Sequence, residues 1–355
     1  MRRYGALFTP FRIKSLDLPN RIVMAPMTRS HSPGGVPGAN VAAYYQRRAA
    51  NGVGLILTEG TAVAHPAAIN DPNVPEFFGE AALAGWARVL AAVREAGGRI
   101  MPQLWHVGTM RKPRSQPHPE APPVGPAMTE SEIAEVIQAY AHSAGHALQL
   151  GFDGIEIHAA HGYLIDQFFW EQSNRRTDRY GGSIRARAQF GAEVVRACRR
   201  AVGPEFPILL RFSQWKIFHY DARLARTPTE LAELLEPLAD AGVDVFHCSQ
   251  RRFWDPAFKG SALNLAAWTK KLTGKPVITV GSVGLDGDFI STFSERKNSG
   301  VAPLDRLIGM LETGEVDLVA VGRALLGDPA WAVKIRDARE SELRPFDVEL
   351  LKVLT

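Results

Sequence analysis

Residues 153–163 combine a strand-like run with three side chains capable of acid–base chemistry. The segment reads Asp-Gly-Ile-Glu-Ile-His-Ala-Ala-His-Gly-Tyr, and such an apolar run is typical of a buried parallel strand. His158 and His161 can each donate a hydrogen bond to a carbonyl or anionic oxygen, and Tyr163 carries a phenolic proton. Alone, His158 could be a core histidine and Tyr163 a packed aromatic. Their clustering instead predicts a site that polarises an oxygen and protonates a neighbouring carbon.

Composition narrows the class of protein. Hydrophobic residues make up 46% of the 355 residues and charged residues 22%, which is typical of a globular protein rather than a disordered or fibrous one. The net charge of +4 comes from dispersed charges, so no nucleic-acid partner is expected. No run approaches the about 18 apolar residues of a membrane span. Cys198 and Cys248 are too few for a disulfide framework or a four-cysteine iron–sulfur cluster. We expect a cytoplasmic protein.

The chain alternates strand-like and helix-like segments along nearly its whole length. Strands are predicted at 21–26, 54–58, 99–105, 154–158, 207–211, 243–247, 276–280 and 316–321. Alternation with helices implies parallel strands, and eight such units close into a barrel. We therefore expect one α/β domain, 1–355, with the (β/α)8 TIM barrel fold; a doubly wound open sheet usually has fewer units. Residues 108–128 and 285–302 are predicted as loop insertions and 213–226 as a further loop, whereas Thr129 and Glu132 have capping-box spacing at a helix start.

Functional residues of such a barrel lie where the strands end and in the loops that follow. After the last two strands come Gly281-Ser282 and Gly322-Arg323. Their small residues would let backbone N–H groups approach an anion, and Arg323 adds positive charge at a helix start. Each glycine alone could mark an ordinary turn. Two such ends on adjacent strands predict a phosphate site.

The other strand ends indicate which group carries the phosphate. Gln103 and Arg211 could jointly bind an imide-like edge, Thr28 could bind a ring heteroatom, and the Pro26-Met27 backbone could lie against a flat ring. This set predicts flavin mononucleotide (FMN). The glycines of 52–54 precede their strand and lack a third glycine, so no Rossmann site is indicated.

Four stretches carry a family resemblance. They are residues 20–29 (Asn-Arg-Ile-Val-Met-Ala-Pro-Met-Thr-Arg), 103–106 (Gln-Leu-Trp-His), 158–163 (His-Ala-Ala-His-Gly-Tyr) and 175–182 (Arg-Arg-Thr-Asp-Arg-Tyr-Gly-Gly). Together they resemble the old yellow enzyme family of flavin-dependent ene-reductases, over nearly the whole chain. The resemblance implies bound FMN, contacted by Pro26, Met27, Thr28, Gly60, Gln103, Arg211, Ser282, Gly322 and Arg323.

The resemblance also implies a reaction. NAD(P)H would reduce the flavin and leave, and a small-molecule enone or nitroalkene would take its place. His158 and His161 would bind the substrate oxygen and Tyr163 would supply the proton, with Trp105 and Trp215 as further substrate contacts. The family's branches differ in carrying cysteine at the position of Thr28 or asparagine at that of His161, and this chain has neither. We expect a monomer or homodimer.

Two other functions fit parts of the pattern. A metal-dependent hydrolase or lyase on the same barrel could use His106, His158 and His161 as ligands, with Glu59 as the best available carboxylate. A non-catalytic flavin-binding protein would keep the phosphate and ring contacts but would have no use for Tyr163. We expect no metal site, because no clear carboxylate partner accompanies the histidines.

Overall fold

Eight parallel strands close into a barrel in the computed structural model, which describes residues 3–110 and 124–355. The barrel strands are β3 (Ile22–Met24), β4 (Leu55–Ala62), β5 (Ile100–Trp105), β6 (Ile155–His161), β7 (Ile208–Lys216), β8 (Val245–Ser249), β9 (Val277–Val280) and β10 (Leu318–Val321). Neighbouring strands pair in chain order, and β10 closes the ring by pairing with β3. The predicted (β/α)8 barrel is confirmed.

Helices connect the strands and cover the barrel. They are α1 (Ala39–Ala50), α2 (Glu80–Glu95), α3 (Glu130–Leu150), α4 (Leu164–Phe169), α5 (Ile184–Arg187), α6 (Gln189–Val202), α7 (Pro228–Asp240), α8 (Leu265–Thr273), α9 (Phe289–Glu295), α10 (Asp305–Glu312), α11 (Arg323–Gly327) and α12 (Trp331–Arg336). The capping box expected at α3 is present: the Glu132 N–H donates to Thr129 Oγ1 and the Thr129 N–H donates to the Glu132 carboxylate. Within the described ranges, no helix has both the length and the apolar character that a membrane crossing requires.

A short hairpin precedes the barrel and was not predicted. Strands β1 (Phe11–Ile13) and β2 (Leu16–Leu18) pair antiparallel. Ile13, Leu16 and Leu18 are buried in one cluster with interior barrel residues such as Leu55 and Met101. The hairpin thus extends the apolar interior of the barrel.

Two of the predicted loops contain regular structure. β7 continues to Lys216, so the loop expected at 213–226 is wrong for its first four residues. These residues can remain in a buried strand because buried partners satisfy the polar groups of Ser213 and Lys216. The insertion expected at 285–302 contains α9, which the Asp288 carboxylate caps by accepting from the Ser291 N–H at 2.9 Å. Of the insertion expected at 108–128, residues 111–123 lie outside the described part of the chain.

Candidate active site

A cavity of about 650 Å³ brings together most of the residues singled out by the sequence. Those that line it are Pro26, Met27, Thr28, Gln103, Trp105, His158, His161, Tyr163, Arg211, Trp215, Gly281, Ser282, Gly322 and Arg323. Gly60 does not line it. A Cβ at Gly60 would lie 2.9 Å from the indole of Trp105, so this glycine lets that ring pack closely against β4. Gly60 therefore affects the cavity through the position of Trp105.

An irregularity at the end of β6 places His158 and His161 in the same cavity. In a regular strand, residues three apart point to opposite faces. Here Ala159 lies opposite Phe212 but His161 lies opposite Lys216, so the ladder with β7 shifts register. His161 itself has φ +65°, in the left-handed region that non-glycine residues seldom adopt. The local backbone strain thus occurs at a position that serves the site.

The rings at this end of the cavity pack edge to face. The His158 ring centroid lies 5.3 Å from that of His161 and 5.0 Å from that of Tyr163, with interplanar angles of 84° and 86°. Trp105 contacts Tyr163 in the same manner at 4.9 Å. Trp215 lies over His161 at 4.5 Å. Two imidazoles and a phenol therefore converge between two indoles.

Burial sets the protonation of these three groups. It holds the pKa of both His158 and His161 well below the usual histidine value, and the positive charge of Arg211 acts in the same direction. His158 Nδ1 accepts a hydrogen bond from the Ala160 N–H at 3.3 Å, which leaves the proton of the neutral ring on Nε2. Burial also raises the pKa of Tyr163 to about 12, so its phenol is protonated at neutral pH. The site therefore offers the N–H of His158, the neutral His161 ring, whose Nε2 lies 2.8 Å from Ser249 Oγ, and one protonated acid.

A buried ion pair supports the turn that carries these groups. Lys216 Nζ donates to Asp166 Oδ1 at 3.0 Å, and Asp166 Oδ2 accepts from the Gly162 N–H at 2.6 Å. Both charged side chains are almost fully buried. The pair therefore ties the backbone between His161 and Tyr163 to the end of β7. Sequence reasoning missed it, because Lys216 was assigned to a loop.

Gln103 on β5 and Arg211 on β7 both line the cavity, and β6 lies between their two strands. Arg211 makes long hydrogen bonds to the Pro26 carbonyl and to Ser249 Oγ, both at 3.4 Å, and its buried Nε has no acceptor among the described residues. Burial lowers the pKa of Arg211 to about 10, which leaves it charged at neutral pH. Gln103 Nε2 donates to Glu156 at 2.7 Å. Both side chains retain polar atoms for a ligand.

Arg323 has a partner set that the sequence did not reveal. Its guanidinium donates to the Gly287 carbonyl at 2.7 Å and to the Asp288 carbonyl at 2.9 Å, and it also bonds to Thr292. All three belong to the segment expected as an insertion. Burial lowers the pKa of Arg323 to about 10, so its charge persists. Arg323 thus anchors 287–292 against the strand ends while it lines the cavity.

Other lining residues escaped sequence reasoning because they lie outside any recognisable motif. These include Tyr220, Gln250, Arg251, Phe289 and Leu351. Phe289 comes from the insertion and approaches the Trp215 ring to 5.5 Å. Only the folded barrel brings such distant segments to one opening.

The ligand set of the metal-enzyme alternative does not assemble. The Glu59 carboxylate accepts the N–H groups of Arg29 and Ser30, and His106 Nε2 lies 3.0 Å from His65 Nδ1. Residues 3–110 and 124–355 contain no group of three or more histidine, cysteine, aspartate or glutamate side chains arranged to hold a metal ion.

Comparisons with known proteins show the family of this chain. The model of the NADH:flavin oxidoreductase / NADH oxidase family matches residues 6–302. The NADH oxidase of Thermoanaerobacter brockii is 34% identical over 97% of this chain, which spans only 52% of that protein. The 12-oxophytodienoate reductase 7 of Oryza sativa subsp. japonica is 32% identical, over 94% of this chain and 89% of that protein.

Among solved structures, the old yellow enzyme homologue from Zymomonas mobilis superposes with a TM-score of 0.82 at 25% identity, covering 98% of this chain and 97% of that one. The resemblance inferred from the four motifs is confirmed. The chain therefore belongs to the NADH:flavin oxidoreductase / NADH oxidase family and is an FMN-dependent oxidoreductase of the old yellow enzyme type.

Proposed function

We propose that this protein reduces the activated C=C bond of α,β-unsaturated carbonyl or nitro compounds, with NAD(P)H as the electron donor. The observation that carries the proposal is the convergence of two neutral imidazoles and a protonated phenol in one cavity with Gln103 and Arg211. FMN, when bound, supplies the hydride acceptor for NAD(P)H and the hydride donor for the β-carbon. The residues described below bind, orient and protonate.

The cavity fits this cofactor. Its volume of about 650 Å³ lies within the range of about 300–1,000 Å³ that is common for small-molecule sites. The buried Arg211 Nε, which has no acceptor among the described residues, is a donor for a ring carbonyl or nitrogen. Gln103 offers a carboxamide beside it, and Thr28 with the Pro26-Met27 backbone lines the same cavity. These residues would hold the ring.

The phosphate would lie against Gly281, Ser282, Gly322 and Arg323. Gly281 has φ +137°, and a Cβ there would lie 2.5 Å from the Gln250 carbonyl oxygen, so this close turn requires glycine. Arg323 begins α11, which leaves its backbone N–H without an acceptor inside the helix. The Arg323 guanidinium is hydrogen-bonded to residues 287–292. We therefore infer that Arg323 would bind the phosphate through its positive charge and its backbone N–H rather than through a bidentate side-chain contact.

His158 and His161 would bind the carbonyl or nitro oxygen of the substrate. Negative charge develops on that oxygen as the β-carbon is reduced, and preorganised donors then bind it more strongly than they bind the ground state. One such donor is commonly worth about 3 kcal/mol of transition-state stabilisation. Both rings are neutral at pH 7, and a neutral imidazole still carries one N–H that can donate to that oxygen.

Tyr163 would then protonate the α-carbon, while Trp105 and Trp215 shape the substrate site. Trp105 holds the phenol by its edge-to-face contact, and Trp215 covers His161. Both indoles present flat apolar walls to the cavity, which suits a planar conjugated substrate. Positioning of this kind removes much of the entropic part of the barrier.

Replacing His158 and His161 singly by alanine tests the oxygen-binding role. We expect reoxidation of the reduced protein by an enone to slow by about 100-fold in each variant, because one oxyanion donor is lost. Reduction by NAD(P)H should change much less. Equal slowing of both steps would instead indicate a displaced cofactor, and an unchanged enone step in both variants would refute the assignment.

We also infer that the protein works in a reducing compartment, the cytoplasm. Cys198 and Cys248 are both free and buried, and burial raises the pKa of each thiol to about 12. Neither is suited to forming a disulfide.

A further inference from the structure

A buried polar pair lies behind Gln103 and is not explained by the reaction. Glu156 accepts from Gln103 Nε2 at 2.7 Å through one carboxylate oxygen, and its other oxygen lies 2.6 Å from His247 Nδ1. The side chains of Glu156 and His247 are completely buried. Neither lines the cavity. Burying a carboxylate is costly unless it is paired, so this arrangement calls for a reason beyond packing.

These residues form two pairs of register partners on four consecutive strands. Gln103 on β5 is the register partner of Glu156 on β6, and Arg211 on β7 is the register partner of His247 on β8. Gln103 and Arg211 line the cavity, whereas the other two lie behind them. The carboxylate of Glu156 also acts on the Arg211 charge, because it opposes the lowering of the Arg211 pKa that burial causes. The pair thus binds Gln103 directly and acts on Arg211 through its charge, and these are the two groups proposed to bind the flavin ring.

Glu156 determines which end of the Gln103 carboxamide faces the cavity. A carboxylate has only acceptors, so it binds the NH2 end and repels the oxygen end. Gln103 Oε1 has no donor among the residues that the structure describes, and Gln103 lines the cavity, so we infer that this oxygen and the second N–H face the cavity. The reversed carboxamide would offer the cavity two N–H groups and no acceptor. An imide edge has an N–H between two carbonyl oxygens and needs both an acceptor and a donor.

His247 in turn fixes Glu156. Burial lowers the pKa of His247, so the ring is neutral and carries one N–H. The short contact to Glu156 places that proton on Nδ1, which leaves Nε2 as a buried lone pair without a partner in the described chain. The other tautomer would bury an unpaired N–H and lose the bond to the carboxylate. Each Glu156 oxygen is therefore committed to one donor.

We propose that Glu156 and His247 are positioning residues that orient the Gln103 carboxamide so that it binds the imide edge of the flavin ring. This inference rests on the proposed function, because it takes Gln103 to be a cofactor contact. It adds a reason for the buried pair and assigns a role to two residues that touch neither cofactor nor substrate.

A double-mutant cycle on FMN affinity tests the proposal. The four proteins are the wild type, Glu156→Gln, Gln103→Ala and the double variant, each stripped of FMN and titrated with FMN while flavin fluorescence is followed. We expect Gln103→Ala to weaken binding at least tenfold. Glu156→Gln should weaken it about tenfold when Gln103 is present, because a carboxamide cannot accept from both neighbours, and less than twofold when Gln103 is absent.

The cycle distinguishes a failure of the proposed function from a failure of the positioning role. If the wild type does not bind FMN, the proposed function fails. If FMN binds but Glu156→Gln weakens it equally in both backgrounds, or if Gln103→Ala has no effect, the positioning role is overturned. Thermal unfolding of the four proteins shows whether a loss of affinity follows from a loss of fold.

A second pair of variants covers the case in which Glu156→Gln does not fold. His247→Asn retains a donor near the position of Nδ1, whereas His247→Leu removes it. We expect His247→Asn to bind FMN within about twofold of the wild type. His247→Leu should bind more weakly and should shift the carbonyl stretching bands of the bound flavin in the infrared spectrum. Equal affinities and identical bands in the two variants would contradict the proposal.

Discussion

Replacing Tyr163 by phenylalanine isolates one proton from the rest of the site. The phenol packs against Trp105 and His158 through its ring, and its hydroxyl makes no hydrogen bond to any described residue. The substitution keeps the ring contacts. We therefore expect the free energy of unfolding to change by no more than about 0.5 kcal/mol. Any large kinetic effect must then come from the missing proton.

The size of that effect follows from the state of the group. Burial raises the pKa of Tyr163 to about 12, so the phenol is almost entirely protonated at pH 7. A positioned general acid usually contributes a factor of about 10²–10⁴ to a rate. Its loss should raise the barrier of the step that protonates carbon by about 3–5 kcal/mol. The step in which NAD(P)H delivers hydride involves no such proton, and it should proceed as in the wild type.

Anaerobic stopped-flow absorbance measures the two steps separately. The reduction by NAD(P)H and the reoxidation by a simple enone are recorded for the wild type, for Tyr163→Phe and for a control, Tyr220→Phe. Tyr220 also lines the cavity but packs against Trp215, at 5.8 Å, away from the proposed acid. Reoxidation that is as fast in Tyr163→Phe as in the control would refute the proton-donor role.

Further predictions concern stability, and all are measured by urea unfolding. Lys216→Met should lower the free energy of unfolding by about 3–5 kcal/mol, because it leaves Asp166 buried without a cation; adding Asp166→Asn should recover most of the loss, and additive losses would contradict this. Burial raises the pKa of Glu59 to about 7, so the folded protein binds this proton more tightly than the unfolded chain does. The resulting stabilisation is fully present below about pH 4.5 and is lost as pH rises through about 7. Glu59→Gln should remove about 3 kcal/mol of that pH dependence, and an unchanged slope would be the contrary result. Gly281→Ala should cost more than about 2 kcal/mol, because of its positive φ and the nearby Gln250 carbonyl. Gly309→Ala, in open space on α10, should stabilise by about 0.5–1 kcal/mol, and similar effects at both glycines would refute the steric argument.

The strands were predictable because parallel strands in a covered barrel are apolar on both faces. Segments such as Ile208–Leu210 are therefore continuous hydrophobic runs. The same signal ended β7 too early, at Arg211, because Ser213, Gln214 and Lys216 are polar and resemble a loop in sequence. Their burial depends on partners from other strands, which a local pattern does not contain. The hairpin of β1 and β2 was missed although Ile13, Leu16 and Leu18 are buried and Arg12 and Asp17 are exposed.

The candidate site was predictable where chemistry is concentrated in short motifs. His158, His161 and Tyr163 lie within six residues, and the structure brings them together in the cavity. The supporting contacts were not predictable, because Asp166 pairs with Lys216 and Glu156 with His247 across long intervals of chain. The Gly322-Arg323 motif correctly predicted that Arg323 lies at the ligand site, but only the fold shows that its guanidinium binds residues 287–292.

An anaerobic titration followed in the visible spectrum tests the central claim most directly. The purified protein is reconstituted with FMN and receives NAD(P)H and then a simple enone in the same sealed cuvette. We predict that the flavin band bleaches with the nicotinamide and returns fully with one equivalent of enone, with the saturated ketone as product. A protein that cannot retain FMN, or whose bleached flavin is not reoxidised by any enone or nitroalkene, would contradict the assignment as an ene-reductase.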